Sequence, residues 1–320
     1  MLRQQDVGHR IVVRRIVGIR EGRPLFSDAL GELVELSETD LTLATAQGRL
    51  RVPLAEVHRA KRVPPARRPT AAAVLELELA ADEAWPAAVR GRLGDWRLRS
   101  ADGWTGRANS ALPVGDPDRP LPAALDAVER WYADLGQPPM VNTPLPLAAP
   151  VGAELDARGW GGRPPVLVQT VPLAGLPPAG PERAAAPPVT LATGPSDDWL
   201  AVAAGRKGGL PDAARHVLTA VDQVRFAHVY ADGALLAVGR GTVTGQGRRW
   251  LGLSLIEVLP EARRQGLGSR IIRALADWGA ATGASHAFLQ VEQRNTPAVG
   301  LYRTVGFTTH HTYLTRTPPA

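Results

Sequence analysis

The 320-residue chain contains no cysteine. This absence excludes disulfide scaffolds, thiolate zinc sites and a cysteine nucleophile. The uncharged stretch at residues 164–181 contains six prolines and cannot form a membrane-spanning helix. Residues 1–20 are interrupted by charged side chains, so they lack the apolar core of a signal peptide. We therefore expect a cytoplasmic protein without a membrane segment.

Lysine is nearly absent, because 35 of the 37 basic residues are arginine. Residues 1–68 hold 13 arginines and lysines against 8 acidic residues, which accounts for +5 of the net charge of +6. A basic segment favours nucleic acid or acidic proteins as partners, although a solvated arginine-rich face explains the charge equally well. The composition of the whole chain, 44% hydrophobic and 21% charged, is typical of globular proteins.

Short β-branched runs separated by turn residues fill residues 1–63. Their close and regular spacing, without a long helical period, predicts a small five-stranded barrel that resembles the SH3-like fold. The proline-rich residues 64–72 follow and are expected to form a linker.

The remainder of the chain contains an internal repeat, since residues 150–160 align without gaps on residues 297–307 at an offset of 147. Each copy is predicted to be a short helix, a glycine at a positive φ and an aromatic residue that opens a strand. The pattern predicts two related α/β units at residues 73–178 and 189–320.

A glycine-bearing turn stands out in the second unit. The apolar strand at residues 250–258 precedes Arg263-Arg-Gln-Gly-Leu-Gly268, and a helix with one apolar face follows. Glycines at a helix N-terminus let backbone N–H groups approach a phosphate, although such a turn is by itself often only a helix entry. A further strand at residues 287–292 leads to Asn295 and another short helix.

At this point the sequence resembles the GCN5-related N-acetyltransferases, or GNAT family. Their pyrophosphate loop, Gln/Arg-x-x-Gly-x-Gly/Ala, is matched by Arg263, Gly266 and Gly268. Their following segment, Asn-x-x-Ala-x-x-Leu-Tyr-x-x-x-Gly-Phe, is matched by Asn295, Ala298, Leu301, Tyr302, Gly306 and Phe307. The resemblance covers residues 189–316 and implies an α+β fold with a mixed, splayed central sheet. The layout is similar to bacterial, histone-acetyltransferase-like members with an SH3-like N-terminal domain, a degenerate first unit and a catalytic second unit.

The resemblance implies that the protein transfers an acetyl group from acetyl-CoA to a primary amine of a protein or a small molecule, without a metal. Tyr302 is then the acid that protonates the leaving thiolate. The alternative role for Tyr302 is that of an aromatic residue packed on a helix face. The residues implied in binding the acyl donor are Val258, Arg263, Arg264, Gln265, Gly266, Leu267, Gly268, Ser269 and Asn295.

Glu257 is the candidate base. Apolar residues occupy the alternate positions before it: Leu251, Leu253 and Leu255. A regular strand would bury Glu257 in the same core, which is costly, so we predict a β-bulge at residues 255–257 that turns it toward the acceptor. The histone-modifying members of the family place their glutamate where this chain has Gly252, so Glu292, His228 and water chains remain alternatives.

The first unit lacks the glycine loop, because the equivalent residues 116–121 contain two prolines and two aspartates. We expect this unit to bind no CoA and to wall the acceptor cleft. Four of its residues are candidates for that wall or for core packing: Trp104, Arg107, Asn109 and Trp131. His310 and His311 are adjacent on a predicted strand and are expected to face opposite ways. The alternative function is a non-catalytic adaptor that binds nucleic acid or protein through the basic barrel.

Overall fold

The computed structural model describes residues 2–20, 22–45, 48–63, 69–176, 187–207 and 209–319. The chain divides into two compact units, residues 1–68 and 69–320. Most of the expected linker at 64–72, namely residues 64–68, lies outside the described residues. No helix in the described ranges is long and apolar enough to span a membrane.

The first unit is a five-stranded antiparallel sheet in the order β4–β3–β2–β1–β5. Its strands are β1 (Arg10–Arg20), β2 (Arg23–Leu36), β3 (Asp40–Thr45), β4 (Gly48–Pro53) and β5 (Val57–Arg62). Alternate residues of the strands form its core, as expected when one face of a sheet is buried: Ile11, Val13, Leu33, Leu41, Leu43 and Val52. Within the described residues, no pairing of β4 with β5 closes the sheet. The five strands are therefore confirmed, whereas a closed SH3-like barrel is not.

The second unit contains seven helices and eleven strands within the described ranges. The helices are α1 (Ala71–Ala84), α2 (Leu121–Asp134), α3 (Ala149–Ala157), α4 (Asp197–Lys207), α5 (Asp212–Thr219), α6 (Leu267–Ala281) and α7 (Thr296–Thr304). The strands are β6 (Val89–Leu93), β7 (Trp96–Ser100), β8 (Val141–Pro144), β9 (Gly161–Gly162), β10 (Val166–Pro172), β11 (Val189–Ala192), β12 (Val224–Ala231), β13 (Ala234–Thr244), β14 (Trp250–Val258), β15 (His286–Glu292) and β16 (Thr308–Thr317). β6 pairs with β7, and the other nine strands form one mixed sheet in the order β11–β12–β13–β14–β15–β10–β16–β8, with β9 on β16.

The internal repeat has the local structure that the sequence predicts. The offset of 147 residues places α3 on α7 and the start of α2 next to that of α6. Both short helices end in a glycine at positive φ, and the same bond closes each end: Trp160 N–H donates to Leu155 O (2.9 Å) and Phe307 N–H donates to Tyr302 O (3.0 Å). These shared bonds confirm the predicted helix–glycine–aromatic motif in both copies.

The two copies exchange their last strands. β10, from the first copy, lies between β15 and β16, and β16, from the second copy, lies between β10 and β8. Because β8 and β15 occupy equivalent places in the repeat, each copy completes the sheet of the other. The expected boundaries at 73–178 and 189–320 stay predictions, since both copies share one continuous sheet. Residues 177–186 of the join lie outside the described residues.

The nine-stranded sheet is covered on two faces. On one, Ile271 and Leu275 of α6 pack on Leu251 and Leu253 of β14. On the other, Val238 of β13 packs in a cluster with residues of α4, α5 and the first copy. We call these the α6 face and the α4 face. Successive residues of a strand point to opposite faces, so the alternation along β13 and β14 assigns each side chain to one of them.

Candidate active site

Strand β14 contains the predicted bulge. Ser254 pairs with Arg240 and Glu257 pairs with Val238, so two residues of β14 lie opposite one residue of β13. The first of these two, Leu255, has φ 51°. Glu257 therefore shares the α4 face with Val238, instead of entering the apolar core of the α6 face. The prediction of a bulge that reverses the side of Glu257 is confirmed.

The sheet opens directly after this point. β14 pairs in parallel with β15 only from Trp250 to Leu253, which lie opposite His286 to Leu289. β15 continues to Glu292 in its pairing with β10, while β14 continues to Val258 in its pairing with β13. Two neighbouring strands thus present backbone edges to an opening, and such edges can pair with an extended ligand.

The loop before α6 carries backbone donors without acceptors. Gly266 is the N-cap residue at φ 80°, and Arg264 has φ 62°. None of the backbone N–H groups of residues 264–269 donates a hydrogen bond to another residue of the described ranges. The positive end of the α6 dipole adds to these donors, so the loop suits an anionic group.

Gly268 brings three of the predicted segments together. A Cβ atom at this position would lie 3.1 Å from Leu301 Cδ2 and 3.7 Å from Val258 Cγ2. The first turn of α6 therefore packs against α7 and against the end of β14. A larger residue would separate these elements, which gives a physical reason for the second glycine of the loop.

The arginines beside the loop have different environments. Arg263 is turned back toward β14, where its Nε donates to Val258 O (3.1 Å) and its Nη2 lies 3.7 Å from Glu257 Oε1. Arg264 is exposed. Arg270, in the first turn of α6, has a buried Nη1 without a hydrogen-bond partner in the described part of the chain. This unpartnered donor fits an anion bound at the loop.

Tyr302 and Asn295 both lie on α7. Tyr302 is 9% exposed and packs in the α6-face core, with its ring centroid 6.0 Å from that of Phe307. Asn295 is the N-cap of α7, and its Oδ1 accepts the N–H of Ala298 (3.3 Å). Packing and capping therefore explain where these residues sit, and their roles toward a substrate stay predictions.

Two of the base candidates lie in one row across the α4 face. Val238 pairs with His228 on one side and with Glu257 on the other, so these two residues are about 10 Å apart across two strand spacings. The Glu257 side chain is 27% exposed. His228 Nδ1 lies 3.1 Å from Phe226 O, its Nε2 is buried without a partner in the described ranges, and burial lowers its pKa. The row offers a carboxylate and a neutral imidazole to one acceptor.

Glu292, the third candidate, is exposed and accepts a hydrogen bond from Arg294 Nε (2.7 Å). It lies at the far end of β15, one strand away from the row of Glu257 and His228. Sequence reasoning missed Arg240, a buried residue beside the bulge. The sequence does mark this position, because an arginine interrupts the apolar run at residues 234–244.

The equivalent loop of the first copy is closed by its own side chains. Asp118, at φ 58°, donates its N–H to Asp116 Oδ1 (2.8 Å), and the N–H of Asp116 donates to Asp95 Oδ2 (3.0 Å). An acidic oxygen thus occupies the amide of Asp118, which is equivalent to the amide of Gln265 in the second copy. That this copy binds no CoA stays a prediction. Trp131, a candidate for the cleft wall, packs edge-on against Tyr132 in the core of the first copy.

The expectation for the histidine pair is wrong. The register between β10 and β16 shifts so that Val168 pairs with His311 and Gln169 with Thr309, which leaves His310 as an extra residue. The bulge brings the two Nδ1 atoms to 2.8 Å from each other instead of placing them on opposite faces. No group of three histidine, aspartate or glutamate residues suited to a metal ion occurs in the described ranges.

Residues 71–315 match the family model described as "Probable histone acetyltransferase Rv0428c C-terminal". The chain is 32% identical over 247 residues to "Probable histone acetyltransferase Rv0428c" of Mycobacterium tuberculosis, an alignment that covers 75% of this chain and 72% of that protein. It is 29% identical over 247 residues to "Uncharacterized N-acetyltransferase YobR" of Bacillus subtilis, with coverage of 73% and 94%.

Solved structures share the fold. A GCN5-related N-acetyltransferase from Kribbella flavida aligns with a TM-score of 0.59 at 18% identity, covering 80% of this chain and 97% of that one. A tandem GNAT protein from the clavulanic acid biosynthesis pathway aligns with a TM-score of 0.53 at 17% identity, covering 80% and 91%. The fold is therefore a mixed α/β fold of the GNAT type. With the family model matching more than half of its residues, the chain belongs to the GCN5-related N-acetyltransferases and is an acetyltransferase.

Proposed function

We propose that the protein transfers the acetyl group of acetyl-CoA to a primary amine, by direct attack of the amine on the thioester. One observation carries this proposal. The sheet opens between β14 and β15 beside a loop whose backbone N–H groups at residues 264–269 have no acceptor in the described ranges. An extended ligand with an anionic group at one end fits this combination of a strand edge that does not pair with β15 beyond Leu253 and a loop of backbone N–H donors.

The loop would hold the pyrophosphate of the acyl donor. Gly266 lets the backbone turn at positive φ, and the N–H groups of the first turn of α6 then donate along the direction of the helix dipole. Arg270 supplies a charged donor from the same turn. Gly268 keeps α6 close to β14, so that the loop and the strand edge can contact one donor molecule.

The edge of β14 would bind the pantetheine arm and orient the thioester. A backbone N–H at Val258 that points to the thioester carbonyl stabilises the oxyanion that forms when the amine attacks. The C–N bond forms, the C–S bond breaks, and the thiolate takes up a proton that Tyr302 supplies. A thiol has a pKa of about 8.5, so this leaving group needs little assistance, and a phenol with a pKa of about 10 is protonated at neutral pH.

The amine must lose its proton before it attacks, because an alkylammonium group has a pKa near 10. Glu257 and His228 face the same side of the sheet and flank Val238, so both can take a proton from an amine placed over this row. The reversal of Glu257 by the bulge is what places its carboxylate on this face.

The test is acetyl-CoA binding measured by calorimetry for the wild type and Gly266→Asp. The substitution places a carboxylate in the phosphate cradle, so we expect binding to be lost. Gly283→Asp is the matched control, because Gly283 also has a positive φ (93°) and also has no atom of the described residues within 4 Å of its Cβ position, but lies at the other end of α6. Gly266→Ala has the same backbone strain but no carboxylate, so it separates the effect of strain on binding from the effect of charge.

Unchanged binding in Gly266→Asp contradicts the assignment of the loop. Equal loss in Gly266→Asp and Gly283→Asp attributes the effect to strain and contradicts it as well. Absence of acetyl-CoA binding by the wild type contradicts the transferase function, and a mobility-shift titration at low salt then tests the adaptor alternative, in which the basic residues 1–68 bind nucleic acid.

A further inference from the structure

Residues from both copies of the repeat meet on the α4 face, next to the bulge. Arg240 Nη1 lies 3.5 Å from Ser254 Oγ, directly before the bulge, and Leu255 of the bulge packs in the same apolar cluster. Two indole rings stack here with their centroids 5.4 Å apart, and two guanidinium groups lie over one of the rings. We call this group the indole cluster: Trp85, Trp104, Arg107 and Arg240.

Arg240 is a structural member of the indole cluster. It is 1% exposed, and its guanidinium donates to the backbone oxygens of Leu218 (2.8 Å), Ala84 (3.0 Å) and Val217 (3.2 Å). These bonds tie α1 to α5 and give each nitrogen of the buried cation an acceptor. Arg240 thereby holds its guanidinium over the ring of Trp85, and each of its three nitrogens already has an acceptor within the protein.

Arg107 and Trp104 are different, because they have donors without acceptors. The Arg107 guanidinium lies 4.7 Å from the centroid of Trp85, and its Nε is buried without a partner in the described part of the chain. It makes no hydrogen bond or ion pair to any residue that the structure describes. Trp104 is 4% exposed, and its Nε1 is likewise buried and unpartnered within the described ranges. Buried donors of this kind normally have an acceptor.

The loop that carries these donors is held in place. Asn109 Oδ1 accepts the N–H groups of Ala101 (2.8 Å) and Gly103 (2.9 Å), and its Nδ2 donates to the backbone oxygens of Trp104 (2.9 Å) and Thr105 (2.8 Å). Thr105 has φ 64°, a strained backbone that the surrounding bonds enforce. The two unpartnered donors are therefore positioned by the fold.

The charges around Arg107 include no carboxylate paired with its guanidinium among the described residues. Burial lowers its pKa, and Arg99 lowers it further, while Tyr313 and Glu78 act in the opposite direction. The carboxylate of Glu78 is already engaged, since its Oε1 lies 2.8 Å from His311 Nε2. An anionic ligand would offset the cost of keeping the cation at this position.

We propose that Arg107 and Trp104 bind a carboxylate group of the acceptor, so that the acceptors are amines that carry a carboxylate, as amino acids do. The inference rests on the transferase function proposed above. A planar guanidinium matches a carboxylate, and the indole N–H adds a donor from the same loop. The acyl donor's phosphates are assigned to the loop at the start of α6, which packs on the opposite face of the sheet. The carboxylate therefore comes from the acceptor.

The test compares amines that differ only by the carboxylate: β-alanine with ethylamine, and lysine with cadaverine. We expect the wild type to prefer the carboxylate-bearing member by about 10- to 100-fold in kcat/KM, the usual value of a hydrogen bond to a charged group. Arg107→Gln abolishes this preference, so that kcat/KM for β-alanine becomes equal to that for ethylamine and kcat/KM for lysine becomes equal to that for cadaverine in the same variant. Trp104→Phe keeps the stacked ring, removes only the N–H and reduces the preference. Arg130→Gln, at an exposed position on α2, is the charge-matched control.

A binding measurement keeps this inference separate from the transferase function. Calorimetry with N-acetyl-β-alanine and N-ethylacetamide reports on the carboxylate site without turnover. Binding of the first compound that is lost in Arg107→Gln and retained in Arg130→Gln supports the proposal. Equal affinity for both compounds, equal affinity in wild type and Arg107→Gln, or no binding of N-acetyl-β-alanine overturns it. Failure of acetyl-CoA to bind contradicts the transferase function instead.

Discussion

Replacing Gly252 by glutamate tests why this chain does not use the position at which the histone-modifying GNAT proteins carry their base. Gly252 is a buried residue of β14 on the α4 face, between Thr242 and Phe288 of the neighbouring strands. A Cβ atom here would lie 2.9 Å from Phe288 Cζ and 2.9 Å from Thr242 Oγ1. Real Cβ atoms do not approach other atoms so closely, so the neighbours must move.

The size of the effect follows from how little room the neighbours have. Phe288 is 2% exposed and Thr242 is fully buried, so neither can rotate into solvent. Overpacking of this kind costs about 1–3 kcal/mol, which for Gly252→Ala lowers the melting temperature of the second unit by about 2–12 °C. Gly252→Glu adds the desolvation of a carboxyl group, a further cost of about 1–3 kcal/mol or more.

The assay is thermal and urea unfolding of the wild type, Gly252→Ala and Gly252→Glu, together with acetyl transfer. Gly247→Ala and Gly247→Glu are the controls, since Gly247 lies in the turn before β14 and no atom of the residues that the structure describes lies within 4 Å of its Cβ position. We expect Gly252→Glu to be the least stable and to gain no activity. Stability equal to that of Gly247→Glu, or faster turnover than the wild type, would refute the argument that packing excludes a base here.

Three further predictions concern the acid, the base and the histidines. Tyr302→Phe should lower kcat by at most about 10²-fold, the lower end of general-acid contributions, because the thiolate needs little assistance. Acetyl-CoA affinity should stay unchanged; thiol release and calorimetry measure the two quantities, and an unchanged kcat removes Tyr302 from the acid role. Glu257→Gln should lower turnover at neutral pH and leave a rate that rises with pH as the free amine becomes available; a wild-type pH–rate profile in this variant assigns the base elsewhere, with His228 next. Burial lowers the pKa of His228, His286 and His310 below the ordinary value of about 6.5. Below that pH the unfolded chain therefore binds more protons than the folded one. The contribution of these histidines to the free energy of unfolding is fully present above about pH 6.5 and decreases as the pH falls through their lowered pKa values. Urea midpoints that do not change between neutral and mildly acidic pH would contradict this.

Local features of the site were predictable from the sequence. The apolar alternation at Leu251, Leu253 and Leu255 leaves Glu257 on the wrong side of a regular strand, and only a bulge resolves that conflict. The glycine loop and the second motif each lie on one contiguous segment of the chain, so the sequence alone shows all the residues of each motif together. The repeat was readable because both copies end their short helices in the same way.

Features that depend on distant pairing were not predictable. The bulge at His310 arises from the register of β10 on β16, and nothing in the adjacent residues signals it. Arg107 and Trp104 were candidates for the cleft wall, but their unpartnered donors become evident only once Trp85 and Arg240 are placed beside them. Closure of the N-terminal sheet likewise depends on how its two edge strands meet, which strand periodicity does not encode.

The exchanged strands set an order for synthesis of the second unit on the ribosome. β8 emerges long before its partner β16, and the side chains of Asn142 and Thr315, which are 173 residues apart, bond across this pair (2.8 Å). Until residues 308–317 have been translated, the first copy keeps an unpaired sheet edge, and β10 has a partner on neither side until β15 follows. Such long-range closure is slow and leaves strand edges open to other chains. Neither copy can therefore be removed, expressed alone or replaced without depriving the other of a strand, so each copy is a folding partner of the other.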